Sequence, residues 1–362
     1  MKLLKNKTTR LLALIFSLLL CSQLSLFAES AEEKTAEEKK EGIDVKELVF
    51  GHINDDYSWH ITTINGHHIS IPLLVIVKGE NGWDVFCASK FHHGEETYNG
   101  YEICKEGNDS GKIIETSTGK RPLDISITKN VLSLLISCGL ILWIFLSIAK
   151  KYKTNPLTRP TGMQAILEPL IIAFDQDVAK ACIGKNYQKF SPYLLTAFFF
   201  IFINNLLGLV PIFPGGANLT GNIAITMVLA VMTFLFTNLY GTKEYWKEVF
   251  WPEVPTWLKV PVPLMPLIEV IGLFTKPIAL MIRLFANMLA GHIMVLVLIG
   301  LIFIFSVMSP IVGSCVPVLS VALVVFMTLL EVLVCFIQAY VFMTLSALFI
   351  GLAQVEPHHE KH

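Results

Sequence analysis

Charged side chains are scarce in this sequence. Asp, Glu, Lys and Arg make up 16% of the 362 residues, while 53% are hydrophobic, and the mean hydropathy is +0.59. A soluble globular protein carries about 25% charged residues, so the composition argues against a water-soluble enzyme. The formal net charge of −1 also removes any electrostatic case for nucleic-acid binding.

Motifs for nucleotide or cofactor chemistry are missing as well. The chain has no GxxxxGK[ST] loop of the kind that cradles nucleotide phosphates. Six of its ten histidines fall at 52, 60, 67, 68, 92 and 93, but adjacent histidines on a strand point to opposite faces and do not chelate. We therefore interpret these histidines as surface residues, with a metal site as the alternative, and we expect neither a cofactor nor a metal.

The N-terminus has the pattern of a segment that directs export. Four basic residues within positions 2–10 precede an apolar run at 11–20, and small residues come next near position 30. This order predicts a secretory signal peptide over 1–30, or, as the alternative, an uncleaved signal anchor. Either alternative exports the adjoining segment, which begins with a charged, low-complexity linker at 31–42.

Residues 43–128 predict a small exported, periplasmic domain that contains β-strands. Strands are expected over 69–77, 83–89 and 112–116, and Asn81-Gly82 predicts a hairpin turn between the first two. Cys87 and Cys104 are the cysteines of this stretch, and in an oxidising compartment they are candidates for a disulfide. The pattern does not indicate what the domain does.

The rest of the chain, 129–355, predicts an all-α membrane domain of about five spanning helices. Runs at 131–149, 193–211 and 218–240 have suitable length, and Lys150, Lys151 and Lys153 place the end of the first run inside. Residues 163–190 are mixed and favour an amphipathic helix at the cytoplasmic surface. The tail at 356–362 is then cytoplasmic.

The last two apolar runs are longer than a bilayer requires. As straight helices, 264–307 and 316–353 would measure about 65 and about 57 Å, against a hydrocarbon core of about 30 Å. Either each run folds back on itself or each crosses once at a strong tilt.

Few ionisable residues lie within these two runs, and their spacing is regular. The formal charges between 261 and 353 are Glu269, Lys276, Arg283 and Glu331. The first three repeat every seven residues and so share one helical stripe, which Asn287 extends; Glu331 and Gln338 share a stripe on the last helix. Charges at membrane depth usually line a polar pathway.

The two helices can be aligned by height. If they are antiparallel with Arg283 level with Gln338, His292 and Glu331 differ by about 3 Å in depth on the outer side. Glu269 then lies about 21 Å to the inner side of Arg283. Two simpler interpretations remain open: Glu269 and Lys276 snorkel to the interface, or Arg283 and Glu331 form a structural ion pair.

The stretch IRLFANMLAGH at 282–292 resembles the signature of subunit a of the F-type ATP synthase membrane sector. Glu331, the run QAYVFM at 338–343, NNLLGL at 204–209 and NLT at 218–220 are similar to that family in the same order. The resemblance covers about residues 130–355. The exported domain exceeds the short N-terminus that is usual in the family.

The resemblance implies a stator subunit of a rotary proton channel in the bacterial inner membrane, without catalytic activity of its own. Its partners would be the ring of c subunits, the b-subunit peripheral stalk and the rest of the complex, with protons as the transported ion. Arg283 would face the ring carboxylates, with Gln338 near it. His292 and Glu331 would line the outer half-channel and Glu269 the inner one.

Two other classes are the alternatives. A free-standing secondary transporter would use Arg283 as a substrate or coupling-ion site, but such folds often contain inverted repeats, and 131–240 does not repeat convincingly in 264–352. A membrane sensor would need a cytoplasmic output module, and the sequence contains none.

Overall fold

The structure is a computed structural model. It describes residues 55–64, 67–79, 82–94, 96–104, 111–154, 159–160, 162–210, 215–251, 264–308 and 310–354. The predicted signal peptide at 1–30, the linker at 31–42 and the tail at 356–362 lie outside the described residues.

The N-terminal region contains small antiparallel sheets. Strands β1 (Ser58–Ile64) and β2 (His67–Pro72) form one pair. Strand β3 (Leu74–Gly79) lies between β4 (Gly82–Cys87) and β7 (Leu123–Asp124) in a second sheet. Strands β5 (Tyr101–Ile103) and β6 (Ile113–Glu115) form a third, and a 3-10 helix covers Ala88–Gly94.

The predicted hairpin is confirmed, because β3 and β4 pair from Leu74 opposite Cys87 to Gly79 opposite Gly82. The prediction of one continuous strand over 69–77 is wrong, because this stretch belongs to two strands, β2 and β3. Between them lies Leu73, whose side chain is buried and whose N–H donates to the Tyr57 carbonyl. The break sends β2 and β3 into different sheets.

The candidate disulfide is not present. Cys87 ends β4, and its thiol lies 3.9 Å from the Pro72 carbonyl oxygen, whereas Cys104 follows β5 in a different sheet. The structure records neither cysteine in a disulfide. Spacing along the sequence does not reveal that the two cysteines lie at the ends of separately paired strands.

A tyrosine–carboxylate contact closes the core of this region. Tyr57 is buried with Val75, Val77 and Phe91, and its hydroxyl donates to the Asp124 carboxylate on β7. Burial and this hydrogen bond raise the pKa of Tyr57 above its ordinary value. The contact therefore links the segment before β1 to the last strand of the region.

The helices account for most of the remaining chain. They are α1 (Lys129–Thr154), α2 (Met163–Ala173), α3 (Ala181–Ile183), α4 (Tyr187–Leu209), α5 (Ile223–Leu239), α6 (Lys243–Phe250), α7 (Leu264–Met308) and α8 (Pro310–Ala353). A π-helical stretch, Phe174–Lys180, joins α2 to α3, and a 3-10 turn, Gly184–Asn186, joins α3 to α4.

Four helical segments among the described residues are long and apolar enough to cross a membrane, and a fifth is obtained if the bent pair α5–α6 counts as one span. The predicted all-α membrane domain of about five spans is therefore confirmed. Each of the two overlong runs is a single helix, of 45 residues in α7 and 44 in α8. Folding back within either run is thus ruled out, which leaves a strong tilt as the way to fit them into a bilayer.

The region predicted as a surface helix folds back onto the next span. Gly184 has φ of +79°, a conformation that favours glycine, and the helical path turns there. After the turn, Ser191 donates to the Asp175 carboxylate and the Phe198 ring lies 4.5 Å from that of Phe174. The segment before Gly184 is thereby packed against α4.

The core of the helical domain lies between α4, α7 and α8. Buried side chains at four-residue spacing, Leu280, Leu284 and Met288, form a stripe on α7, and Cys335, Ala339 and Met343 form another on α8. Phe198 of α4 packs against Phe336. Helix α1 joins this core through Phe145 and Phe199, whose rings are 4.9 Å apart.

Replacing Tyr57 with Phe tests the contact that closes the N-terminal region. A hydrogen bond to a charged group contributes about 1.5–3 kcal/mol, so we expect faster amide hydrogen exchange in β3 and β7 of the purified chain. Tyr98→Phe is the matched control, because the Tyr98 ring also packs against Phe86 while its hydroxyl forms no hydrogen bond within the described residues. Equal exchange in the two variants would contradict the role of the Tyr57–Asp124 contact.

Candidate functional site

Arg283 lies on the exposed side of α7. The buried stripe of Leu280, Leu284 and Met288 turns toward the core, while the Arg283 side chain is exposed. Within the described part of the chain, Arg283 forms no hydrogen bond or ion pair. The structural Arg283–Glu331 ion pair, one of the simpler interpretations of the sequence, is therefore not formed.

Small residues surround the arginine. Ala279, Ala286 and Ala290 are all exposed, and they lie four residues before, three after and seven after Arg283 on the same helix. Small side chains allow the backbone of another helix to approach closely. This part of α7 therefore presents small side chains beside the exposed guanidinium.

Glu331 is buried in the contact between α8 and α7. Only 7% of the residue is exposed, and its Oε2 atom has no hydrogen-bond partner among the described residues. Its Oε1 atom approaches Gly291 so closely that a Cβ there would lie 2.7 Å away. Since Gly291 directly precedes His292, Glu331 and His292 lie at nearly the same level along α7.

A chain of polar contacts connects this level with α4. The hydroxyl of Thr220 donates to the Asn205 side-chain oxygen on α4, and the Asn218 amide lies 3.5 Å from the Met288 carbonyl oxygen on α7. Asn218 and Thr220 therefore bridge the two helices through the segment before α5. The sequence motifs at 204–209 and 218–220 contain these residues, but their mutual contact was not predicted.

Several buried polar atoms near this bridge lack a partner in the described residues. They are Asn204 Oδ1, Asn205 Nδ2, Asn287 Nδ2 and Glu331 Oε2. Buried polar groups are normally hydrogen-bonded, and where protein partners are missing, water commonly supplies the bond. These four atoms make the part of the α4–α7–α8 contact near the bridge polar, within an otherwise apolar core.

Other polar residues lie toward the start of α7. Glu269 is half-buried and acts electrostatically on the Tyr245 hydroxyl of α6. Lys276 is half-buried, with its ammonium 5.9 Å from the centre of the Phe349 ring. Tyr245 and Lys276 line one pocket, together with Asn238. Tyr245 and Asn238 were not among the predicted site residues.

The predicted residues therefore divide into separate groups along α7 and α8. Glu269 and Lys276 lie near the start of α7, Arg283 lies on its exposed side, and Glu331 is buried beside Gly291. Gln338 is half-buried on α8. The arrangement places a permanent cation between two regions that contain carboxylates.

Comparison with known protein families identifies the helical domain. A family model described as ATP synthase A chain matches residues 131–351, more than half of the chain. The chain belongs to this family. A second model, described as a domain of unknown function, matches residues 48–131.

Individual proteins named ATP synthase subunit a are also similar to this chain. ATP synthase subunit a of Chlorobium phaeobacteroides is 45% identical over 309 residues, which cover 82% of this chain and 86% of that protein. The protein of the same name from Chloroherpeton thalassium is 42% identical over 66% of this chain and 69% of its own. The one from Myxococcus xanthus is 41% identical over 66% and 76%. Membership in the ATP synthase A chain family does not favour a free-standing transporter.

Adding a methyl group at Gly291 tests the close approach of Glu331. A Cβ 2.7 Å from Glu331 Oε1 forces the carboxylate to move, and because this is the end of a flexible side chain we take the lower end of the about 1–3 kcal/mol that overpacking costs. We expect Gly291→Ala to unfold at a lower temperature than the Gly272→Ala control in the detergent-purified protein, because both variants gain the helix preference of alanine.

Gly272→Ala is the matched control on the same helix, because a Cβ there meets nothing within 4 Å. We expect no decrease for this variant, since alanine favours a helix over glycine. If both variants unfold at the wild-type temperature, Glu331 does not pack against Gly291.

Proposed function

We propose that this chain is the stator subunit of a rotary proton channel, in which proton flow across the inner membrane is coupled to rotation of a c-subunit ring. The observation that carries the proposal is the exposed Arg283, which has no partner in the described residues although it lies midway along an apolar helix. In this proposal the subunit moves protons and its partners carry out the chemistry of ATP.

The physics of the bilayer requires a partner for Arg283. Placing an arginine at the centre of a membrane helix costs about 2.5–3.5 kcal/mol on insertion scales, and its guanidinium is charged at all physiological pH values. A carboxylate at the same depth on a neighbouring protein would offset this cost. The ring of c subunits would supply such carboxylates, and the exposed alanines beside Arg283 would allow its helices to approach.

The outer half-channel would run through the polar region between α4, α7 and α8. Protons would enter past His292 and Glu331, with Asn287 and the unpartnered atoms Asn204 Oδ1 and Asn205 Nδ2 holding water along the way. A ring carboxylate that receives a proton becomes neutral. It can then leave the stator surface and enter lipid, because the charge that opposed the move is gone.

The inner half-channel would lie toward the start of α7, near Glu269. When a protonated ring carboxyl completes its circuit and meets Arg283, the positive charge favours the ionised form, and the proton leaves past Glu269. Arg283 also stands between the two half-channels, so its charge repels a proton that would cross directly. A membrane potential supplies about 2.3 kcal/mol per charge per 100 mV, and each ATP therefore needs several protons.

The remaining chain would be arranged around this channel in sequence order. We propose a signal peptide over 1–30, a linker over 31–42, a periplasmic domain over 43–128, a membrane domain over 129–355 and a cytoplasmic tail over 356–362. Lys150, Lys151 and Lys153 at the end of α1 support this orientation through the positive-inside rule. The b-subunit peripheral stalk would hold the subunit against the ring's rotation.

Arg283→Ala tests the stator charge. We expect ATP-driven acidification of inverted membrane vesicles to be lost, because the ring carboxylate then has no cation to favour its ionised form. The matched control is Ile282→Ala, which shortens a neighbouring exposed side chain and leaves the charge. Assembly is checked by co-purification of the ring. Normal acidification by an assembled Arg283→Ala complex would overturn the proposal.

Glu331→Gln tests the outer half-channel. The amide keeps the size of the side chain but cannot carry a proton in the same way, so we expect passive proton flux through vesicles stripped of the ATPase sector to fall several-fold. Leu330→Ala serves as control, since Leu330 is an exposed neighbour on α8. Wild-type flux in the Gln variant would remove Glu331 from the pathway.

A further inference from the structure

One face of the central sheet in the N-terminal domain is exposed and apolar. It is formed by Leu74, Trp83, Val85, Leu123 and Ile125, which we call the apolar sheet face. Their exposed fractions are 43%, 53%, 61%, 57% and 57%, respectively. These residues come from three neighbouring strands or their immediate continuation, so they form a continuous patch. Contiguous apolar patches on a soluble surface mark an interaction site.

Strand alternation separates this face from the core. Val75, Val77 and Phe86 occupy the intervening positions and are buried. The acidic residues of the three strands also lie on the core side: Asp84 accepts a hydrogen bond from Tyr101, and Asp124 accepts one from Tyr57. Among the described residues of β3, β4 and β7, the apolar sheet face therefore carries no carboxylate.

The charged residue on this face is basic. Lys78 is exposed and lies opposite both Trp83 and Leu123 in the sheet, with its ammonium 5.6 Å from the centre of the Trp83 ring. A tryptophan and apolar side chains beside a cation match the headgroup region of a bilayer with anionic lipids.

The domain is held close to the membrane. The N–H of Lys129, the first residue of α1, donates to the Asp56 carbonyl, and the N–H of Asn130 donates to the Asp55 carboxylate. Two residues earlier, Ile127 donates to the Leu74 carbonyl of β3. Helix α1 is a candidate membrane span. Ile125, whose N–H donates to the Ile76 carbonyl of β3, lies four residues before Lys129, and four residues reach at most about 14 Å. The sheet therefore begins within that distance of the start of the span.

We propose that the apolar sheet face lies on the bilayer surface at the N-terminal end of α1, with Lys78 at the level of anionic headgroups. The patch then continues the lipid-facing surface of α1, on which Val131 and Leu135 are exposed. The N-terminal domain would thus hold the start of α1 at the membrane surface. This inference depends on α1 spanning the membrane and not on the proton-transport proposal.

Photo-crosslinking in the membrane tests this inference. The crosslinker p-benzoylphenylalanine replaces Val85 or Ile125, two exposed positions on different segments, in the full chain within its assembled complex. Thr97 is the control position, since it is exposed but precedes Tyr98, which packs against Phe86 on the core side. After illumination, mass spectrometry identifies the crosslinked partner.

We expect a several-fold excess of phospholipid adducts at positions 85 and 125 over position 97. Adducts with residues 1–54 of the same chain, or with another polypeptide, would overturn the proposal by naming a different occupant of the face. Equal, low yields at the three positions would overturn it too, because the face would then be in water.

The contact of Lys78 with headgroups is tested separately. In membranes that mix phosphatidylglycerol with phosphatidylcholine, we expect Lys78→Gln to lower the share of phosphatidylglycerol among the adducts at position 85. An unchanged share would show that Lys78 does not contact the headgroups.

Discussion

A permanent positive charge on an apolar helix is the constraint on which the helical domain depends. Arg283 is exposed on α7 and has no partner within the described chain, yet a guanidinium cannot be neutralised by losing its proton. The charge is therefore not compensated within the described part of the chain. The buried stripe beside Arg283, at Leu280, Leu284 and Met288, packs α7 against its own chain and leaves the arginine on the exposed side.

The rest of the helical domain supports the exposed position of Arg283 on α7. Helices α7 and α8 are far longer than a bilayer is thick, and their contact buries Glu331 against Gly291. The bridge from Asn205 through Thr220 and Asn218 to α7 ties α4 to the same level. Polar atoms without partners lie near this bridge, and one of them belongs to Asn287, one helical turn after Arg283.

Much of this domain can be predicted from the sequence, because membrane helices must satisfy their own backbone hydrogen bonds and so read as long apolar runs. The spacing of Glu269, Lys276 and Arg283 gives the stripe, and antiparallel alignment puts His292 and Glu331 at a similar depth. The Thr220–Asn205 bond was not predicted, because long-range pairing of short polar side chains leaves no periodic signal. In the N-terminal domain, the break at Leu73 and strands β1, β5 and β7 escaped prediction for a related reason: short strands are defined by tertiary pairing.

The account is tested most directly by a cryo-electron microscopy map of the assembled complex. It predicts that the Arg283 guanidinium faces a carboxylate of the ring across the exposed alanines of α7, with Glu331 remaining beside Gly291 in its own chain. A map in which Arg283 pairs with Glu331, or in which this side of α7 faces lipid with no ring helix against it, would contradict the account.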